Sequence, residues 1–109
     1  MSIQYKTINE LSQMLKSRDI SNKELIQETF NLIDANLHLN AFITLNKDAS
    51  LLKAEELDKN LSLQPLSGIP IAQKDLFCTK DLRTTCGSNM LSNFIPPYSA
   101  TVIENLENA

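Results

Sequence analysis

Two short segments restrict the fold of this chain more than anything else in it. Thr7-Ile8-Asn9-Glu10 and Ser21-Asn22-Lys23-Glu24 each set a hydroxyl residue three places ahead of a glutamate. In that pattern the hydroxyl accepts from a free amide of the first helical turn while the carboxylate reaches back to the cap amide, so each segment starts a helix. Leu11, Met14 and Leu15 follow the first at helical spacing, and Leu25, Ile26, Phe30 and Ile33 form an apolar stripe behind the second. The helices are expected to end near Arg18 and Asn36. The stripe on the second must bury against other elements.

Further on the period changes. Residues 41–45, Ala-Phe-Ile-Thr-Leu, are short, aromatic and β-branched, the signature of a buried strand. Polar residues 46–48 lead into a third helix, expected to carry Ala49, Leu52 and Leu57 near its inner face. Residues 61–67 lose all period and include Pro65, and Gly68 and Pro70 bracket Ile69, so a loop turning into a strand is expected. Pro70 suits a strand start because it has no amide hydrogen to leave unpaired. Residues 71–74 continue extended, with Lys74 on the face of Ala72. Residues 78–93 read as a long excursion with one helical turn around 88–91, and Pro96-Pro97 stops any helix there. Ser99 is then placed to cap a helix with Val102, Ile103 and Leu106 on one side, and the chain stops inside this pattern, which reads as a truncation. Helices alternating with two visible strands give an α/β class, a mixed sheet flanked by helices and incomplete in this chain. Uncovered strand edges and apolar faces count against independent folding.

Length and composition exclude several classes. A chain of 109 residues fits one folded unit or part of one. An apolar fraction of 42% and a charged fraction of 21% are those of a soluble globular protein. The net charge of −3 with scattered basic residues gives no electrostatic footprint for nucleic acid. The polar start MSIQYKTINE has no signal-peptide core and no later run approaches membrane-spanning length, so no membrane association is expected and a cytoplasmic protein is the simplest reading. Cys78, Cys86 and the lone His38 have no metal-ligand spacing; the cysteines read as reduced, partly buried thiols and His38 as a surface residue.

One region carries specific chemistry. Residues 66–88 read Leu-Ser-Gly-Ile-Pro-Ile-Ala-Gln-Lys-Asp-Leu-Phe-Cys-Thr-Lys-Asp-Leu-Arg-Thr-Thr-Cys-Gly-Ser, and residues 93–102 read Asn-Phe-Ile-Pro-Pro-Tyr-Ser-Ala-Thr-Val. Taken without any relative, Lys74-Asp75 is a solvated charge pair. Taken as a pattern, the region resembles the amidase-signature family, in which a G-I-P-x-x-x-K-D strand delivers a lysine, a T-x-G-S-like segment follows, and a P-Y-D-A-T-V-like helix start comes next. Cys-Thr with Arg-Thr-Thr-Cys-Gly-Ser and Asn-Phe-Ile-Pro-Pro-Tyr resembles more narrowly the A subunits of the tRNA-dependent amidotransferases, and Thr-Ile-Asn-Glu-Leu and Ser-Asn-Lys-Glu-Leu fit the same branch. Residues 1–109 then read as the N-terminal portion of a single amidase domain. It has a helical region about 7–60, a lysine-bearing strand and loop about 66–98, and the start of a further helix about 99–109.

The resemblance implies that Lys74 is the catalytic base of a Ser-Ser-Lys triad. Asp75 and Ser88 are supporting candidates; Asp75 reads first as a turn residue accepting backbone amides and second as one that shapes the site, and Ser88 first as a turn or cap hydroxyl. The family's nucleophilic and bridging serines sit in a downstream glycine- and serine-rich stretch that this chain, with only Gly68 and Gly87, does not contain, so the isolated chain is expected to be inactive. A lysine activates a serine only when neutral, which near neutral pH requires it to lose its proton about a thousandfold more readily than free lysine, on the order of 4 kcal/mol. Leu66, Ile69, Ile71 and Phe77 are the expected apolar surroundings, and strand alternation is expected to turn Asp75 off the other face.

For the complete protein the resemblance implies hydrolysis of glutamine and use of the ammonia on misacylated Glu-tRNA(Gln) or Asp-tRNA(Asn). The B subunit would handle tRNA, ATP and Mg2+, and the C subunit would brace the pair; no metal or cofactor is expected in this chain. A general small-amide amidase and a non-catalytic module or gene relic are the alternatives. Three positions depart from the commonest family pattern: Leu76 for asparagine, Asp81 for glycine and Ser99 for aspartate. Asp81 matters most, since aspartate adopts positive φ less readily than glycine.

Overall fold

The computed structural model describes residues 2–109, which gather into two compact units. One comprises the chain through Asn40 together with Lys47–Pro70; the other comprises Ala41–Asn46 and Ile71–Ala109. Among the described residues no helix is long and apolar enough to cross a membrane.

The first unit is helical, and both capping boxes form. Helix α1 spans Ile8–Ser17: the Glu10 amide donates to Thr7 Oγ1 at 3.2 Å and the Thr7 amide donates to Glu10 Oε2 at 2.7 Å. Helix α2 spans Asn22–Ala35, with the corresponding bonds between Ser21 and Glu24 at 3.0 and 2.8 Å. Arg18 closes α1 in the left-handed conformation (φ 61°), its amide returning to the carbonyls of Leu15 and Met14. Two short 3-10 turns, Ile3–Tyr5 and Leu37–Leu39, were not anticipated. The first brings Ile3 into a cluster with Leu15, Ile20 and Leu25; the second holds His38 at the surface, as expected.

The α2 stripe serves two clusters. Leu25 joins the Ile3 cluster, while Ile26 and Phe30 pack on Ala54 with Ile33 and Leu51 alongside. Ala54 and Leu51 belong to helix α3, Lys47–Lys59, whose inner face differs from the expected one: Ala49 and Leu52 are exposed. Polar contacts set that rotation. The Asp58 carboxylate accepts from the Asn22 amide at 2.7 Å, Asn22 Nδ2 at 2.8 Å and the Lys23 amide at 3.1 Å, so α3 caps the start of α2. Lys23 Nζ pairs with Glu55 at 2.7 Å, and Lys47 Nζ lies 5.7 Å from the centre of the Phe30 ring. With Asp58 and Glu55 turned to α2, helical spacing brings Leu51 and Ala54 round with them.

The loop after α3 meets α1 and α2 at Gly68. Its φ is +80°, and a Cβ there would sit 1.8 Å from Asn22 Oδ1 and 3.2 Å from Leu15 Cδ1, so both conformation and space require glycine.

The second unit contains the principal correction to the sequence reading. The expected mixed sheet does not form: among the described residues there is no strand, only an isolated antiparallel bridge between Thr79 and Leu82. Residues 41–45, expected to be buried, are largely exposed, with Phe42 at 42% and Ile43 at 56%. Residues 71–74 are likewise irregular. A strand exists only when a second one takes its backbone donors and acceptors, and no such partner is present among the described residues.

Loops and one helix build this unit. Asp81 adopts φ 64°, so aspartate occupies a left-handed position at the site where the family pattern has glycine. Its amide donates to the Pro96 carbonyl at 3.1 Å, and the Thr84 amide donates to Phe94 O at 3.0 Å, which lays the 79–84 turn against the 94–96 stretch. The helical turn expected near 88–91 is present as Asn89–Leu91. Helix α4, Thr101–Asn108, buries Ile103, but its cap residue is Ala100 and not Ser99. The Ser99 hydroxyl instead accepts from the Lys80 amide at 2.9 Å, which removes it from the capping role assigned by sequence.

Candidate active site

Asp75 organises the lysine-bearing segment. Its Oδ1 accepts from the Thr85 amide at 3.0 Å and its Oδ2 from the Thr85 hydroxyl, while its main-chain carbonyl accepts from the Cys86 amide at 2.7 Å. The Gly87 amide donates to Thr85 Oγ1 at 3.1 Å, which leaves the hydroxyl's single proton for Asp75. Thr85 and its neighbour Thr84 are both buried. Cys86 and Gly87 follow with φ values of 53° and 67°, a turn that carries their amides back toward Asp75 and Thr85. The Thr85 hydroxyl bond holds the Asp75 carboxyl below the usual aspartate range; burial opposes this, and the Thr85 and Gly87 amides and the nearby Arg83 charge add to it.

Lys74 is exposed, and of the apolar residues expected around it Phe77 lines the same cleft. Its carbonyl accepts from the Phe77 amide at 3.2 Å, closing the turn that follows. Lys74 and Asp75 line an open cleft of about 230 Å³ with Gln73, Phe77, Arg83 and Thr44. Arg83 spans its side: the guanidinium donates through Nη1 to Thr44 Oγ1 at 3.1 Å and through Nε to the Ser92 carbonyl. Thr44 lies in the 41–46 segment, which therefore contributes a wall.

Of the candidates named from sequence, the structure brings Lys74 and Asp75 to one cleft. Ser88 lies outside its lining; the Ser88 amide donates to the Thr85 carbonyl at 2.8 Å, a turn contact. Sequence reasoning missed Thr85, Arg83 and Thr44. The signal for Thr85 was present, since a hydroxyl ahead of Cys-Gly can supply a hydroxyl and several turn amides to one carboxylate. Nothing pairs Arg83 with Thr44 in sequence, because that contact spans most of the second unit's loops. Cys78 and Cys86 are free, with Cys86 exposed instead of partly buried. Among the described residues no three of His, Cys, Asp and Glu come together as a metal set would require.

Residues 24–109 match the family described as Amidase, and the chain belongs to that family. Within it the chain is similar to the A subunits of glutamyl-tRNA(Gln) amidotransferases. It is 49% identical over 108 residues to the one from Prochlorococcus marinus (strain NATL2A), covering 94% of this chain and 22% of that protein. For Coxiella burnetii (strain RSA 493 / Nine Mile phase I) the identity is again 49% over 108 residues, with 95% and 22% covered. For Legionella pneumophila (strain Corby) it is 47% over 104 residues, with 93% and 22% covered. The chain thus spans about a fifth of the length of these curated relatives, 22% in each case.

Proposed function

We propose that this chain is the lysine-bearing part of a glutaminase subunit, in which Lys74 is the base that activates a serine for attack on the amide of glutamine. The observation that carries the reading is the placement of Lys74 on an open cleft, beside an aspartate tied into the turn, in a chain 49% identical to an amidotransferase A subunit. In this reading Lys74 receives the serine proton through a second serine. The serine oxygen attacks the amide carbon, the proton taken up by Lys74 passes to the amide nitrogen so that it leaves as ammonia, and water, handing a proton back along the same route, releases glutamate and restores the serine. Both serines come from the remainder of the subunit, so the 109 residues alone are expected to show no amidase activity.

Lys74 must shed its proton to act, and a neutral amine is favoured where water is excluded. Residues 71–76 are mostly exposed in this chain, so the rest of the subunit covers the cleft in the proposal. The ammonia passes to a partner subunit that amidates misacylated glutamyl-tRNA using ATP and Mg2+, and a third small subunit braces the assembly. No cofactor is assigned to this chain.

The test is Lys74→Ala in the full-length subunit within its assembly. Glutamine hydrolysis should fall by about 100-fold or more, the range set by loss of a general base, while amidation driven by added ammonia persists. Hydrolysis within about twofold of the parent would remove Lys74 from the mechanism. A general amidase acting on small amides would instead hydrolyse them without partner subunits.

A further inference from the structure

We infer that Thr85 is the positioning residue for Lys74, holding the Asp75 carboxylate in the turn and away from the lysine's ammonium. The inference rests on the reading of Lys74 as the base. Adjacent Lys and Asp side chains leave the backbone one residue apart, and an unrestrained carboxylate has two cations to turn to, the Lys74 ammonium and the nearby Arg83 guanidinium. Here both of its oxygens are occupied by Thr85, one by the amide at 3.0 Å and the other by the hydroxyl. The hydroxyl oxygen also accepts from the Gly87 amide at 3.1 Å, which ties the side chain to the turn while its one proton goes to Asp75.

The same contacts fix the backbone on which the lysine stands. The Cys86 amide holds the Asp75 carbonyl at 2.7 Å, and the Phe77 amide holds the Lys74 carbonyl at 3.2 Å. Residues 74 and 75 are therefore pinned from the 85–87 turn on one side and from the following turn on the other. Thr85 touches no candidate reacting atom; it acts through Asp75 and the peptide linking it to Lys74. At Asp75 one residue supplies both donors, the Thr85 amide to one oxygen and the Thr85 hydroxyl to the other, and of the side chains that fit a threonine site only serine keeps that hydroxyl.

The experiment compares Thr85→Val, Thr85→Ser and Lys74→Ala in the full-length subunit within its assembly, measuring kcat and KM for glutamine hydrolysis. Thr85→Val keeps the shape and the amide but loses the hydroxyl. Its kcat should fall about 10- to 100-fold, the cost of a misplaced base, with KM within about twofold. Thr85→Ser restores the hydroxyl and should return kcat to within about threefold of the parent. Unchanged kcat in Thr85→Val alongside an inactive Lys74→Ala would overturn the positioning role and leave the base assignment standing. An active Lys74→Ala would overturn the base assignment itself. Should Thr85→Val not fold, Thr85→Ala removes the same hydroxyl with less bulk and is read the same way. If neither hydroxyl-free variant folds, the residue serves the fold and the inference is overturned.

Discussion

Removing the carboxylate of Asp58 should destabilise the first unit more than any other single polar deletion in it. Asn22 N and Nδ2 both donate to Asp58 Oδ1, at 2.7 and 2.8 Å, and the Lys23 amide donates to Oδ2 at 3.1 Å. Asn22 is buried, so its donors have little water to turn to, whereas the Lys23 amide lies on an exposed residue. An unsatisfied buried donor costs about 1–3 kcal/mol, and a negative charge at a helix start adds about 0.3–1 kcal/mol, giving roughly 2–4 kcal/mol for Asp58→Ala once some water enters. Asp58→Asn can keep its carbonyl oxygen where Oδ1 stood, retaining both Asn22 bonds. It loses the charge and sets a donor against the Lys23 amide, for about 1–2 kcal/mol. Urea unfolding followed by far-ultraviolet circular dichroism measures both.

The same carboxylate has a pH signature. Burial raises its proton affinity, but the Asn22 side chain and the Asn22 and Lys23 amides outweigh burial and hold it below the ordinary aspartate value. A depressed carboxyl contributes stability that is complete above its unfolded value, about 3.9, and is lost as pH falls through the lower folded value. Asp58→Asn should flatten part of the acid limb. Glu10 and Glu24, lowered by their bonds to Thr7 and Ser21, continue to titrate and keep the rest of it. An Asp58→Ala variant within about 0.5 kcal/mol of the parent, the scatter of an ordinary surface substitution, would refute the cap. So would an acid limb for Asp58→Asn that superimposes on that of the parent.

Gly68→Ala should destabilise the same unit by about 2–4 kcal/mol in the same unfolding assay, since left-handed strain and a collision with Asn22 Oδ1 act together. Asp81→Gly should stabilise the second unit by a few tenths to about 1 kcal/mol by relieving positive φ at an exposed turn, read as a shift in thermal midpoint; destabilisation would mean that the aspartate side chain supports the turn.

The helices were legible because their signals are local. Each capping box states a helix start within four residues, and the Leu25 to Ile33 stripe names the buried face of α2. The face of α3 was read one step out of phase, because Leu51 and Leu52 are equivalent in hydropathy and the choice between them is made by Asp58 reaching Asn22 from another helix. The strands were misread for a related reason. Composition at 41–45 and 70–74 describes residues suited to a sheet, but pairing is a property of two segments, and neither forms a strand with another among the described residues. Lys74 is named as a candidate base only through its motif, since as a bare lysine it is an ordinary exposed charge. Thr85 had a local signal in the hydroxyl ahead of Cys-Gly, but which carboxylate it serves, Asp75, took the structure to identify.

The 41–46 segment has a practical consequence for dissecting the protein. It lies in the chain between α2 and α3, yet it clusters with residues 71–109 and supplies the Thr44 hydroxyl that receives Arg83. A contiguous fragment beginning at Ile71 would therefore leave one wall of the cleft behind, and a fragment ending at Pro70 would carry that wall away with nothing to hold. Genetic excision of either unit calls for grafting this hexapeptide, not for a single cut, and a peptide spanning it, added in trans to a 71–109 fragment, is the natural complementation partner.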